Sequence, residues 1–240
     1  MSFKYTCSLG PHCHSSYLLK CNSLKKESYP FDWIFTNYKI IKNIIEDNFN
    51  DFLNKIHYKS LNKYQACHTI YHDSMFWHHN PLLNEDHYEY FIRCVERFQN
   101  MIKSDESKLF LYLVKDVCEI DETTIENNMF ELYETLNKYT TNFKLLVVII
   151  HPHKSKHKYT LTNSNSNSNS NSNSNSNSNS NSNSNSNSNS NSNSNSNSNI
   201  DFLHVDVLSS SNGKEFINQL DNKYISIILN TKYKFDLKHM

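Results

Sequence analysis

Two runs of consecutive apolar residues, Leu109 to Val114 and Leu145 to Ile150, constrain this chain more than any other feature. A strand with one wet face alternates apolar and polar side chains, whereas a strand apolar at every position is buried on both faces, as inside a parallel sheet covered by helices. Both runs are far too short to span a bilayer. Tyr5 to Leu9 is a further strand candidate. Apolar residues at three- and four-residue spacing fill the intervals: Ile40, Ile41, Ile44, Ile45, Phe49 and Phe52 predict a helix from Tyr38 to Ile56. Tyr88, Phe91, Ile92, Val95, Phe98 and Ile102 predict a second helix, and Ile125, Met129, Leu132 and Leu136 a third, with Asp121 as its cap. Strands alternating with helices give an α/β class: a single domain with a largely parallel sheet flanked by helices.

Asn163 to Asn199 is an unbroken Asn-Ser alternation of 37 residues. It holds nothing apolar to bury, and both residue types favour turns, so the sequence predicts a disordered, solvated segment. Residues 200–240 decide whether it is a linker or an insertion. Phe202, Val205 and Val207 read as a strand, Gly213 to Leu220 as a helix, and Tyr224 to Leu229 as another strand. These elements are too few to build a core alone. They are expected to complete the domain begun by residues 1–162, with 163–199 inserted between the two parts.

Lys and Arg together equal Asp and Glu together, 24 each, so no basic field exists to collect phosphates. Nucleic acid is therefore not an expected partner, nor is an anionic membrane. The start of the chain has no apolar signal core, which predicts a cytoplasmic protein, and six scattered cysteines then read as thiols. No cofactor is expected.

In open parallel sheets, ligands bind beyond the carboxyl ends of the strands. After the first strand candidate the chain reads Ser8-Leu9-Gly10-Pro11-His12-Cys13-His14-Ser15-Ser16. Gly10 permits a sharp turn and Ser15 onward can start a helix, placing Cys13 near a helix N-terminus. Unsatisfied N–H groups and the helix dipole stabilise a thiolate there. The competing reading is a small, half-buried cysteine that only packs.

Ser8-Leu9-Gly10-x-x-Cys13, then Leu19, then Glu27-Ser28-Tyr29-Pro30-Phe31-Asp32-Trp33-Ile34, then Asp47-Asn48-Phe49-x-Asp51-Phe52-Leu53 resembles the putative papain-like cysteine peptidase family, a domain of unknown function. Tyr71-His72-Asp73 and the Arg93/Arg97 segment resemble later steps of the same family. The resemblance implies acyl transfer to water, with Cys13 attacking, His72 shuttling the proton, and Asp32, or second Asp73, orienting the imidazole. Gly10, His12, His14, Trp33, Asp73 and Arg93 are the candidate binding residues around it. Each has a structural reading beside the functional one: Asp32 between Phe31 and Trp33 caps a turn, His72 sits in a His-rich loop, and Arg93 with Arg97 belongs to a charged face shared with Glu89 and Glu96.

No Gln precedes Cys13 to serve as papain's oxyanion donor, so backbone N–H groups around Pro11 to Ser15 would have to serve, and Pro11 has none. A nucleophile after the first strand equally fits an esterase-like acyl hydrolase. The rival class is a non-catalytic binding module, or an inactive family member, whose crevice holds a small molecule, peptide or sugar. Histidine is abundant, but His12-Cys13-His14, Cys67-His68, His78-His79 and His151-x-His153 lack the regular pairing of a zinc motif. Adjacent residues such as His78 and His79 would also face opposite ways on a strand. No metal site is assigned.

Overall fold

The computed structural model describes residues 3–115, 122–163 and 199–233. In chain order the elements are β1 (Tyr5–Ser8), α1 (Cys13–Cys21), α2 (Tyr38–Glu46), β2 (Tyr58–Ser60), β3 (Ala66–His68), β4 (His72–Phe76), α3 (Glu85–Lys103), β5 (Lys108–Val114), α4 (Glu122–Tyr139), β6 (Phe143–His151), β7 (Lys158–Asn163), β8 (Ile200–Asp206) and α5 (Gln219–Lys232). The main sheet runs β1-β5-β6-β8-β7, and β2-β3-β4 form a small separate sheet. The first four strands of the main sheet are parallel, and β7 lies antiparallel to β8.

The two apolar runs are β5 and β6, side by side at the centre. Alternate residues feed two cores. Phe110, Tyr112, Leu145, Val147, Ile149 and Phe202 pack with residues of α2, α3 and α4. Leu111, Leu113, Leu146, Val148, Leu203 and Val205 pack with Leu18 and Leu19 of α1 and Ile225, Ile228 and Leu229 of α5. Burying each large apolar side chain contributes roughly 1.5–3 kcal/mol, so the central strands set the stability of both layers.

The chain departs from its sequence reading in several places. α2 starts where expected, with the Asn37 side chain accepting from the Ile40 N–H at 3.0 Å, but it ends at Glu46. Asn48 and Phe49 take positive φ, which no helix continues, while Phe49 and Phe52 still reach the core through a turn. Tyr224 to Leu229 is not a strand but the middle of α5. Its buried residues Ile225, Ile228 and Leu229 stand at helical spacing, and Ile227 is 55% exposed. Gly213 to Leu220 is not helical before Gln219, because the Asn212 side chain accepts from the Lys214 and Glu215 N–H groups and holds a turn. β7 is mostly exposed, with no apolar pattern to announce it, and β2 to β4 are short. Asp121, expected as a helix cap, lies outside the described residues, as do Cys118 and residues 164–198 of the Asn-Ser tract.

Asn163 and Asp201 are partner positions in the β7–β8 ladder. The two described ends of the tract therefore stand side by side on neighbouring strands of one sheet.

Two local devices position the carboxyl edge of the sheet. The first is the turn after β1. Gly10 has φ +91, and a Cβ there would stand 2.5 Å from Thr36 Oγ1. The turn is tied to its neighbours by Leu113 N–H donating to Gly10 O at 3.2 Å and Thr36 N–H donating to Pro11 O at 2.8 Å. Ser8 and Ser15 share a 2.7 Å hydroxyl bond that joins the strand to α1. The second device is Asp221, fully buried in the first turn of α5. It accepts from the Leu208 and Ser209 N–H groups at 2.9 Å each, from the Ser209 hydroxyl at 2.7 Å, and faces His157 Nε2 at 2.7 Å. Burial pushes its carboxyl up, but these bonds outweigh burial and hold it below the usual carboxylate range.

Three outcomes are expected. Gly10→Ala lowers the unfolding free energy by about 2 kcal/mol or more, read from urea denaturation, because the added methyl meets Thr36 in a left-handed backbone. Asp221→Asn costs about 1–3 kcal/mol at pH 7. Because the folded carboxyl is depressed, wild type holds this advantage above about pH 4 and loses it as pH falls through the folded value, so the two melting curves converge in acid. Replacing residues 164–198 by Asn-Gly leaves the melting temperature unchanged or higher, since closing a shorter loop costs less entropy.

Candidate active site

A cleft of about 670 Å³ opens beside the start of α1. Cys13 and Tyr17 of α1 line one part, Trp33 and Phe35 of the loop before α2 another, and Trp77, His78 and His79 come directly after β4. Tyr90 of α3 and the loop Asn212 to Lys214 complete the wall. Lys20 and Lys214 are its cationic side chains, and no carboxylate lines it among the described residues. The cleft thus offers aromatic surface, two ammonium groups and one thiol.

The sequence places Cys13 near the N-terminus of a helix starting at Ser15; α1 starts two residues earlier, with Cys13 as its first residue and His12 as N-cap accepting from the His14 N–H at 3.4 Å. Cys13 is only 7% exposed. Burial pushes its thiol up, and the Asp32 charge adds to this, while its own backbone N–H and Lys115 oppose. The helix terminus therefore does not win: a dipole contribution of about 0.3–1 kcal/mol is smaller than the desolvation of a thiolate.

Asp32 is 1% exposed and caps the turn that bears it, accepting from the Tyr29 N–H at 2.7 Å. Its charge partner is the Lys25 ammonium, which also donates to Ser16 of α1 at 2.9 Å. Burial pushes the Asp32 carboxyl up and Lys25 pulls it back. Asp32 thus ties the Trp33 loop to α1 through an ammonium group, and no bond from Asp32 to a histidine occurs among the described residues. Trp33 beside it lines the cleft.

His72 is not among the lining residues. Its ring stacks on Phe35, which is, with centroids 5.9 Å apart. His72 Nδ1 accepts from the Ser74 N–H at 3.0 Å, so a neutral ring carries its proton on Nε2 and has no free lone pair. Asp73 and Arg93 lie outside the cleft, and both are exposed. Arg97 instead reaches inward, its guanidinium donating to Ser28 O at 3.4 Å. His12 and His14 are buried, and burial holds them neutral, lowered to about 4 and about 3. His14 Nδ1 meets the Ser211 hydroxyl at 2.8 Å and its ring meets Phe216 edge-on, so it fastens the β8–α5 loop to α1.

The imidazoles that share the cleft with Cys13 are His78 and His79. Neighbours on a strand face opposite ways, which counts against this pair in the sequence, but β4 ends at Phe76 and that rule does not reach them. His79 is fixed by stacking on Tyr90, centroids 5.0 Å apart and planes 6° from parallel. Burial first, then His87 and His78, lower it to about 4. Among the described residues, no cluster of three metal-ligating side chains lies in the cleft.

No curated protein and no solved structure matches the chain. A family does: the one described as "putative papain-like cysteine peptidase" matches residues 4–155, which takes in the β1 turn, Cys13, the Trp33 loop and the His78–His79 segment. With more than half of its length matched, and with the cleft built largely from the matched part, the chain belongs to this family.

Proposed function

We propose that the protein is a thiol-dependent acyl hydrolase with Cys13 as nucleophile and the cleft imidazoles, His79 foremost, as proton carriers. The observation that carries this reading is that Cys13, His78 and His79 line one cleft. Family membership supports it.

The chemistry needs no group beyond water. Cys13 Sγ gives its proton to the imidazole and bonds to the acyl carbon, and the carbonyl electron pair moves to oxygen. Collapse expels the amine or alcohol, which takes the proton back from the imidazole. Water then attacks the thioester, releases the carboxylic acid and restores the thiol. Stacking on Tyr90 orients His79, a task that an Asp or Asn side chain performs in Ser-His-Asp and Cys-His-Asn triads. Aromatic walls with Lys20 and Lys214 fit an acyl substrate that carries an aromatic or apolar group and a negative charge. His72 supports the Phe35 wall in this scheme, and Asp32 fixes the Trp33 loop.

Burial pushes the Cys13 thiol up and lowers His79, in the same cleft, to about 4, and both shifts oppose proton transfer from sulfur to the imidazole. That observation favours a second reading, in which the cleft binds such a ligand without turning it over. Acyl transfer from p-nitrophenyl acetate separates the two. The first reading expects an acetyl adduct on Cys13 by mass spectrometry, its formation rising with pH into the alkaline range as the raised thiol ionises, with hydrolysis falling to background in Cys13→Ala. His79→Ala should slow it by about 10²–10⁴-fold, and His72→Ala far less. Unchanged hydrolysis in Cys13→Ala would refute the nucleophile assignment. No adduct at any pH would leave the binding reading.

A further inference from the structure

The rows of apolar residues that pack under α4 end abruptly. On β6 the sequence Leu145, Val147, Ile149 is continued on the same face by His151, and on β8 Ile200 and Phe202 are continued by His204 and Asp206. The register sets Ile149 beside His204 and His151 beside Asp206. Glu122, in the first turn of α4, comes to the same spot.

The three side chains converge. His151 Nε2 and His204 Nδ1 are 3.2 Å apart, their rings 10° from parallel. Glu122 Oε1 stands 4.0 Å from His204 Nδ1, and one ligand atom from each of the three falls within 4.8 Å of the others. Zinc–nitrogen bonds of about 2.0–2.1 Å in a tetrahedron put neighbouring ligand atoms about 3.3–3.4 Å apart. The two imidazoles already stand close to that separation. Without an ion, one ring nitrogen must carry the proton that the other accepts; a cation in its place receives both lone pairs.

We propose that Glu122, His151 and His204 form a binding site for a first-row divalent cation of the zinc class. Two imidazoles and one carboxylate suit that class, and the remaining position stays open to water or a ligand. Asp206 on the same face adds negative charge, and Lys154 and Lys158 beside the adjoining pocket oppose it. This pocket shares no residue with the Cys13 cleft, so the site is separate. An ion there joins the start of α4 to the carboxyl ends of β6 and β8.

The test uses the full chain, freed of metal by a chelator, titrated with Co²⁺ and Zn²⁺. One equivalent of Co²⁺ should give visible d–d bands without sulfur-to-metal charge transfer in the near ultraviolet, and Zn²⁺ should raise the melting temperature. His204→Ala and His151→Ala should abolish both responses, and Glu122→Gln should weaken affinity by at least about tenfold. Glu122 is exposed, so its variant reports on binding even if a histidine variant folds poorly. Absence of Co²⁺ bands, thiolate charge transfer, or wild-type affinity in the Glu122 and His204 variants would each overturn the assignment.

Discussion

The parallel pairing of β5 with β6 removes Leu109 to Leu113 and Leu145 to Ile150 from water on both sheet faces at once. Everything else in the fold answers that condition. One face needs α2, α3 and α4; the other needs α1 and α5, so the segment after the Asn-Ser tract is as necessary as the segment before it. With both faces closed, side chains free to do chemistry are left at the ends of the strands. Cys13 and the Glu122–His151–His204 cluster are both found at the carboxyl edge, where open parallel sheets place ligands.

Features that rest on local pattern could be read from the residues alone. The buried central strands, the helices around Phe91 and Leu132, and Cys13 at the head of a helix all follow from spacing and one glycine. The rest depends on partners remote in sequence. Tyr224 to Leu229 is apolar enough for a strand, and only the core on which Ile225, Ile228 and Leu229 land makes it helical. β7 has almost no buried residue and exists because β8 offers it a ladder. The candidate site divides in the same way. Cys13 and Trp33 were legible from a motif; His79 was hidden because its place depends on where β4 stops and on stacking with Tyr90, eleven residues on. His151 stood out as part of His151-x-His153, yet its neighbour in space is His204, on the next strand.

Asp32 shows how a motif residue can matter without lining the cleft. Its carboxylate holds the Tyr29 N–H and Lys25, and Lys25 holds Ser16 on α1. These bonds set where Trp33 stands relative to Cys13. The same buried negative charge disfavours a second negative charge on sulfur. Order in the wall and reactivity of the thiol are thus in tension, and the thiolate forms only against the field that shapes its surroundings.

The pairing of Asn163 with Asp201 fixes both ends of the Asn-Ser tract on neighbouring strands. The entropy of closing a loop grows with the logarithm of its length, so about ten residues more or fewer in a segment this long change stability by only about 0.2 kcal/mol. Selection for folding therefore has almost no grip on how many Asn-Ser units the gene encodes. The repeat number can drift between copies of the sequence as a neutral genetic character, while the residues at its two ends stay held by the sheet.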